Sequence, residues 1–405
     1  MAHVALQGIT KKFRRHTALD GLSLEVGDGE FFVLLGPTGA GKTTTLRLIA
    51  GLDGLDAGSI SIGGKDVAGW SAAERDVALV FQYYSLYPHY TVRQNLEFPL
   101  RSKHRHFSPE EIQSRVAKAA KTLRIEHLLE RKTDRLSGGE MQRVSIGRAI
   151  VREPRVFLMD EPLSNLDAKL REVLRAELKD LQMKLGATFL YVTHDQVEAM
   201  SMGDKIGILN HGRIVQRGTP QQIYNQPRDT FVATFVGTPA MNLIHGNLHE
   251  GRMRVVPGRF EIALDAETLA RLAGRSGPVT LGVRSEDVQI SAAGAAITQV
   301  AGAAITQVSD GVVAQVSGGV VAQVSGGVVG QVSAGVVAQV YGVENHGVEK
   351  IVTLRVADHV IKATVPARTA VQIDGQTEFS FNQRKLQFFD RASGASLFFE
   401  ERGHG

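Results

Sequence analysis

The sequence predicts an α/β nucleotide-binding region followed by a smaller β-rich region, and three observations carry that reading. Gly36-Pro-Thr-Gly-Ala-Gly-Lys-Thr43 fits G-x-x-x-x-G-K-[ST] between the apolar run Phe31–Leu35 and a helix-like stretch at 44–50. Apolar strands then alternate with amphipathic helices, the pattern of a mainly parallel, covered sheet. From about Gly246 the pattern changes to short alternating runs separated by turn signals, which reads as a barrel.

Composition is compatible with this. A chain of 405 residues suggests two or three domains, and 43% hydrophobic residues suffice for packed cores. Lys plus Arg number 46 against 42 Asp plus Glu, a net +4, too small a surplus to argue for a nucleic-acid protein. Without cysteine there is no disulfide framework and no thiolate-bound metal, as in a reducing cytoplasm. The first eight residues lack the basic and apolar regions of a secretory signal. No stretch offers about twenty apolar residues in a row, so a soluble protein is expected.

In chain order, short strands are expected at 3–8, 22–26 and Phe31–Leu35, with a Gly27-Asp28-Gly29 turn before the last. A hairpin follows around Gly63-Gly64. Ser108-Pro109-Glu110-Glu111 opens a helix with Ser as N-cap, Pro in the first turn and Glu111 completing a capping box. Ile112, Val116, Ala119 and Leu123 give that helix an apolar stripe. A second long helix spans Ala168–Leu185, with Leu170, Leu174, Leu178, Leu181 and Leu185 on one side and Gly186 as its C-terminal cap. Strands are expected at 156–159 and 188–192, and in the C-terminal region at 279–283, 350–356, 359–365, 379–381 and 386–389.

Within that last region lies a tandem repeat of period eight. Glutamines 299, 307, 315, 323, 331 and 339 are each followed by valine, in units like Gly-Gly-Val-Val-Ala-Gln-Val-Ser. An even period keeps Val312, Ala314 and Val316 on one face of a strand in every copy. An extended hairpin, a small solenoid and an adhesive surface are functional readings. Expansion of one ordinary strand of the domain is favoured, because the units carry no catalytic side chain.

The chemistry concentrates in three places. In the loop Gly36, Pro37, Thr38, Gly39, Ala40, Gly41, Lys42, Thr43 and Thr44, backbone N–H groups and a helix N-terminus can cradle phosphates. Lys42 would reach the β- and γ-phosphates of a nucleotide, and the Thr43 hydroxyl would coordinate Mg²⁺. The apolar strand at 156–159 ends in Asp160, a Mg²⁺ holder through water, and Glu161, a general base. Leu136-Ser137-Gly138-Gly139-Glu140 also forms a capping box, but two glycines in a first turn are costly for a helix unless something approaches the backbone closely. A second phosphate-binding helix end fits them.

With these motifs in place, residues 1–245 closely resemble the ATP-binding subunits of ATP-binding-cassette (ABC) transporters. Leu136–Glu140 resembles their signature, Gln82 their glutamine loop, Ser164-Asn-Leu-Asp167 the loop after the acidic strand, His194 the switch histidine and Phe13 the adenine-stacking ring. The resemblance implies an ABC cassette at 1–240, with a helical subdomain at about 88–155. It implies ATP and Mg²⁺ as ligands, with Glu161, His194 and Gln82 in catalysis. Gln82 would join Thr43 and Asp160 near the metal, and Asp167 would lie at the nucleotide. It also implies a head-to-tail dimer, homodimeric or with a related cassette, in which Ser137, Gly138 and Gly139 meet the γ-phosphate held by the partner copy.

The aromatic segment from Tyr83 through Tyr84 and Tyr87 to Tyr90, with four of the chain's seven tyrosines, resembles the groove that receives a membrane permease. The strings Phe157–Arg171 and Val236–Asn242 resemble maltose-type and glycerol-phosphate-type importers. Those carry an oligonucleotide-fold-like C-terminal domain, here 241–405 with the repeat at about 294–341. The expected function is therefore the ATPase of a sugar, polyol or glycerol phosphate importer, at the cytoplasmic face of the membrane and indirectly served by a solute-binding protein. A soluble cassette ATPase working on nucleic acid or ribosomes is the alternative, and no nucleic-acid partner is expected for the first reading. A C-terminal barrel that senses a ligand or binds RNA is a third. The basic loop Arg101-Ser-Lys-His-Arg-His106 reads as a solvated connection.

Overall fold

A computed structural model describes residues 2–102, 107–256, 260–291 and 336–399, with backbone strands also given within 296–328. The chain divides into two compact units, Met1–Ile223 and Tyr224–Gly405.

The first unit opens with β1 (Val4–Phe13) and β2 (His16–Val26), then β3 (Phe31–Leu35) and α1 (Lys42–Ala50), and returns through β4 (Ala57–Ile62) and β5 (Lys65–Asp66). β6 (Val77–Val80) precedes the helices α2 (Val92–Glu97), α3 (Pro109–Leu123) and α4 (Gly138–Ile150). The unit continues with β7 (Val156–Asp160), α5 (Ala168–Leu185), β8 (Thr188–Thr193), α6 (Gln196–Met202), β9 (Lys205–Asn210) and β10 (Arg213–Gly218).

These strands form two sheets. A six-stranded sheet has the order β10-β9-β3-β8-β7-β6, parallel from β9 to β6 with β10 antiparallel at its edge. The others form an antiparallel sheet, β2-β1-β4-β5, rather than joining the parallel one. Burial explains the difference. Every residue of β3 and β8 is buried, as in strands covered on both faces, whereas Leu22, Leu24 and Val26 of β2 alternate with exposed neighbours. Leu6, Ile9 and Leu24 from one sheet and Leu34, Leu158 and Leu190 from the other share one apolar core with Leu46 and Ile49 of α1.

The capped helices form as expected. Ser108 and Glu111 close a capping box on α3, whose buried face is Ile112, Val116, Ala119 and Ala120. Helix α5 buries Leu174, Leu178 and Leu181 and ends at Gly186 in the left-handed region, where glycine carries no Cβ penalty. Among the described residues no helix is long and apolar enough to cross a membrane.

α7 (Pro220–Asn225) spans the division, and α8 (Thr230–Phe235) lies within the second unit. That unit continues with β11 (Asn242–His249), β12 (Arg252–Val255), β13 (Glu261–Ala263), α9 (Ala266–Leu272), β14 (Gly277–Val283) and β15 (Val288–Ile290). The division at Ile223 precedes the expected one at 240, because residues 224–240 pack into the second unit. Arg284 donates hydrogen bonds to the carbonyls of Tyr224, Ala233 and Val236, and Ala233 clusters with Met241 and Phe389.

Within the repeat, β16 (Ala296–Val300), β17 (Ala303–Val308), β18 (Gly311–Val316) and β19 (Gly319–Val320) pair consecutively and antiparallel, and β20 (Gln323–Val324) pairs with β21 (Gly327–Val328). Among the described residues these strands therefore pair antiparallel with sequence neighbours, in two separate sheets. The expected shared face of Val312, Ala314 and Val316 concerns side chains outside the described residues, and residues 103–106 of the basic loop lie outside them too. The sixth copy is described from Val336, where it opens β22 (Val336–Asn345), in which Ala338 and Val340 are buried and Gln339 is exposed. β23 (Glu349–Val356), β24 (His359–Pro366), β25 (Gln376–Phe381) and β26 (Gln387–Asp390) follow.

Two five-stranded sheets result, β13-β12-β11-β14-β26 and β15-β25-β22-β23-β24, around one core that includes Leu281, Val340, Val352, Phe379 and Phe388. Helix α9 has no counterpart among the sequence expectations. Its seven residues bury only Thr268 and Leu272, too short a segment for a helical period to register.

Candidate nucleotide site

The site is built at the carboxyl ends of three neighbouring parallel strands, β3, β7 and β8, where an α/β sheet opens its ligand crevice. β3 runs into the loop at 36–41, and α1 begins at Lys42. Gly41 is the N-cap at φ 109° and offers no side-chain cap, so the first N–H groups of α1 are left for an anion. A Cβ at Gly36 would overlap the Leu209 carbonyl, so the loop packs against β9 only because that residue is glycine. Pro37 and Thr44 are half-buried, Thr38 and Gly39 are exposed, and Ala40 is buried.

Lys42 is 6% exposed. Its Nζ donates to the carbonyls of Gly36 at 2.9 Å and Pro37 at 3.1 Å, and lies 3.6 Å from Glu161 Oε1. Burial lowers the Lys42 pKa, and the Glu161 carboxylate opposes that shift. The Thr43 hydroxyl donates to Asp160 Oδ1 at 3.0 Å. Burial raises the Asp160 pKa, countered by the Thr43 hydrogen bond and reinforced by the Glu161 charge.

Glu161 sits just past β7 in the left-handed region, at φ 44°, a conformation uncommon for a residue with a side chain. Its amide donates to the Val192 carbonyl at 3.0 Å, which ties it to β8, and its Oε2 meets His194 Nδ1 at 2.9 Å. Gln82, after β6, donates from Nε2 to Ser164 Oγ at 3.2 Å, and Ser164 Oγ donates to the Glu161 carbonyl at 2.9 Å. Asn165 donates to the Gln82 carbonyl, so both the side chain and the backbone of Gln82 are joined to the loop after the acidic strand.

The remaining expected residues stand apart from this cluster. Ser137 caps α4 in a capping box with Glu140, whose pKa the Ser137 backbone N–H lowers. Gly139 is buried against Leu170, where a Cβ would come within 2.8 Å of that side chain. Among the described residues, no hydrogen bond or ion pair joins Ser137, Gly138 or Gly139 to the loop at 36–43. Asp167 is the N-cap of α5, accepting from Leu170 N at 2.9 Å. Phe13 ends β1 at 45% exposure, with Lys11 Nζ 5.1 Å above its ring.

Sequence reading missed the support behind His194. Glu198 on α6 is buried and accepts from the Thr193 hydroxyl at 2.7 Å and the Tyr191 hydroxyl at 2.9 Å. Thr193 Oγ1 also accepts from the Asp195 amide, and Asp195 caps α6. The strand end that presents His194 is thereby pinned from below. A glutamate in the first turn of a short helix reads as an ordinary surface charge, so nothing in the sequence marks it.

A phosphate-binding loop, an acidic strand end and a strand-end histidine in mutual contact define a P-loop ATPase of the cassette type. Comparison with known proteins agrees. The family model described as "ABC transporter" matches residues 19–164, and that of the "MalK OB fold domain" matches 237–288. The chain is 51% identical over 292 residues to an sn-glycerol-3-phosphate import ATP-binding protein of Rhizobium meliloti, covering 72% of this chain and 79% of that one. It is 42% identical to a trehalose/maltose import ATP-binding protein of Thermococcus litoralis, over 98% of this chain and 100% of that one. A solved ABC-transporter cassette in its ADP conformation matches with a TM-score of 0.51 at 26% identity, covering 57% of this chain and 98% of that one. The chain belongs to the import ATP-binding proteins of the ABC transporters: it is a nucleotide-binding, ATP-hydrolysing cassette with a MalK-type C-terminal domain.

Proposed function

We propose that this chain powers import of glycerol phosphate or of a small sugar such as maltose or trehalose, as a dimer of cassettes docked on a membrane permease. The observation that carries the mechanism is the contact set Lys42–Glu161–His194 beside Thr43–Asp160. Lys42 is engaged with two loop carbonyls and lies 3.6 Å from the base. A γ-phosphate entering the loop competes for that ammonium and releases the Glu161 carboxylate to accept a proton from the attacking water. His194, held at Nδ1, keeps the carboxylate oriented.

The Thr43 hydroxyl and the Asp160 carboxylate suit a hard cation, to which the Gln82 amide oxygen would add a further ligand, and few protein ligands are what Mg²⁺ takes when phosphates complete its shell. Mg²⁺ bound there would offset charge on the phosphates.

Ser137–Gly139 then act on the ATP of a second copy. Gln82 transmits the state of the site through Ser164 to the aromatic segment, where Tyr83 is 74% exposed and available to a permease. The cassette pair would lie at the cytoplasmic face of the membrane. Co-purification with permease subunits, and solute uptake into vesicles that depends on Lys42, test the reading. Recovery with nucleic acid or ribosomes instead, and no uptake, would overturn it.

A further inference from the structure

His194 is more than half exposed, so packing around its ring does little to place it. Its position against Glu161 is set by its chain neighbours, Thr193 and Asp195. The Thr193 hydroxyl is held by Glu198. Asp195 accepts from the amides of Val197 and Glu198 through Oδ1, at the start of α6. Its Oδ2 has a more distant partner, Arg171 Nη1 at 3.3 Å.

Arg171 lies on α5, and its guanidinium spans two loops. Nη2 donates to the Leu166 carbonyl at 3.0 Å and the Ser164 carbonyl at 3.5 Å, while Nη1 donates to Asp195. Ser164 is also the residue that accepts from Gln82 and donates to the Glu161 carbonyl. The fork therefore joins the loop after the acidic strand, which receives Gln82, to the residue that follows His194. A planar guanidinium holds carbonyls and a carboxylate on different nitrogens in fixed geometry, which the single ammonium of lysine does not. Helix formation gives no reason for a cation here, because Arg171 stands near the N-terminal end of α5, where the helix dipole favours anions.

We propose that Arg171 is a positioning residue for hydrolysis: it ties the loop at 164–167 to Asp195 and so sets His194 against the Glu161 carboxylate. A displacement of that loop is then passed to the histidine. The inference rests on the reading above in which Glu161 is the base and His194 orients it.

The test measures steady-state ATP hydrolysis by the full chain with Arg171→Met, with Asp195→Asn, with both, and with His194→Ala. Asparagine still caps a helix, so Asp195→Asn breaks the ion pair and keeps the start of α6. Each of the first two should lower kcat by roughly 10–100-fold, the scale of a small misplacement at a reacting group, with KM for ATP and the melting curve little changed. The double variant should be no slower than the slower single variant, because both substitutions break one link. Losses that multiply in the double variant, or a loss confined to KM, overturn the proposal. Parental kcat in Asp195→Asn overturns it as well, whatever Arg171→Met does to the fold. In both cases an impaired His194→Ala leaves the reading of Glu161 and His194 standing. Parental turnover by His194→Ala would instead remove that reading, and the role of Arg171 with it.

Discussion

Glu161 and His194 meet at 2.9 Å, Oε2 to Nδ1, while the other carboxylate oxygen lies 3.6 Å from Lys42 Nζ. The carboxylate is thus held between a fixed ammonium and an imidazole that is more than half exposed. Glu161→Gln keeps the size of the side chain and an amide oxygen for Lys42, with an NH2 group in place of the oxygen at His194, but removes the proton acceptor. Steady-state ATP hydrolysis should fall by roughly 10²–10⁴-fold, the usual worth of a positioned general base, with ATP binding retained. Brisk steady-state turnover by this variant would mean that the base lies elsewhere.

The hydroxyl of Thr43 and the carboxylate of Asp160 are 3.0 Å apart on different elements, α1 and β7. Asp160→Asn preserves the size of the side chain and removes its charge. Affinity for ATP in the presence of Mg²⁺ should weaken by roughly 10–100-fold, the range for groups supporting a metal from behind its ligands. ATP affinity measured with chelator should change little, and an equal loss under both conditions would assign Asp160 to the nucleotide alone.

How much of this was legible beforehand depended on whether local chemistry or distant packing fixed the feature. The nucleotide loop, the capped helices α3 and α5 and strand β3 were readable because glycine, capping residues and unbroken apolar runs act over a few neighbours. The antiparallel sheet was not separable from the parallel one, since strand partners are chosen by surfaces far apart in sequence. The division at Ile223 depended on Arg284 reaching back to Tyr224, Ala233 and Val236, a pairing no local pattern announces. The Glu198 network depended on β8 and α6 folding against each other. Ser137–Gly139 could be recognised as a motif, yet its intramolecular contacts satisfy only the helix end.

That last point yields a mixing experiment. Ser137 is engaged with Glu140 within its own chain, so its contact with nucleotide belongs to the dimer proposed above. Lys42→Ala and Ser137→Arg should each abolish most ATPase activity alone. Mixed dimers pair an intact loop with an intact signature at one of two sites, so mixing should restore a sizeable fraction of activity. Mixtures as inactive as either parent would argue that each chain completes its own site.

Stability should carry a pH signature from Glu198. Burial raises its carboxyl pKa, and the hydroxyls of Thr193 and Tyr191 only partly pull it back. A raised folded-state value means that the native protein binds the proton more tightly than the unfolded chain. This contribution is fully present below the ordinary glutamate value of about 4.3 and is lost as pH rises through the raised value. Glu198→Gln removes that dependence. Urea unfolding followed by the fluorescence of Trp70, which lies in the first unit, should show the variant gaining on the parent as pH increases from 4. A constant offset between the two at every pH would contradict the assignment.

The repeat can be tested by removing it, because Ile290 at the end of β15 and Val336 at the start of β22 both pair with Phe379 of β25. The two ends of the insertion therefore flank one strand at the same level, about 10 Å apart by two interstrand spacings. Deleting residues 294–333 leaves 291–293 and 334–335 as a connection, a reach of roughly 17 Å when extended. The sixth copy is kept, and with it the inward Ala338 and Val340 that the core requires. ATPase activity and dimerisation by analytical ultracentrifugation should be largely unchanged. Loss of the dimer in the shortened chain would instead make the hairpins part of the assembly, and the expansion of a single barrel strand would no longer account for them.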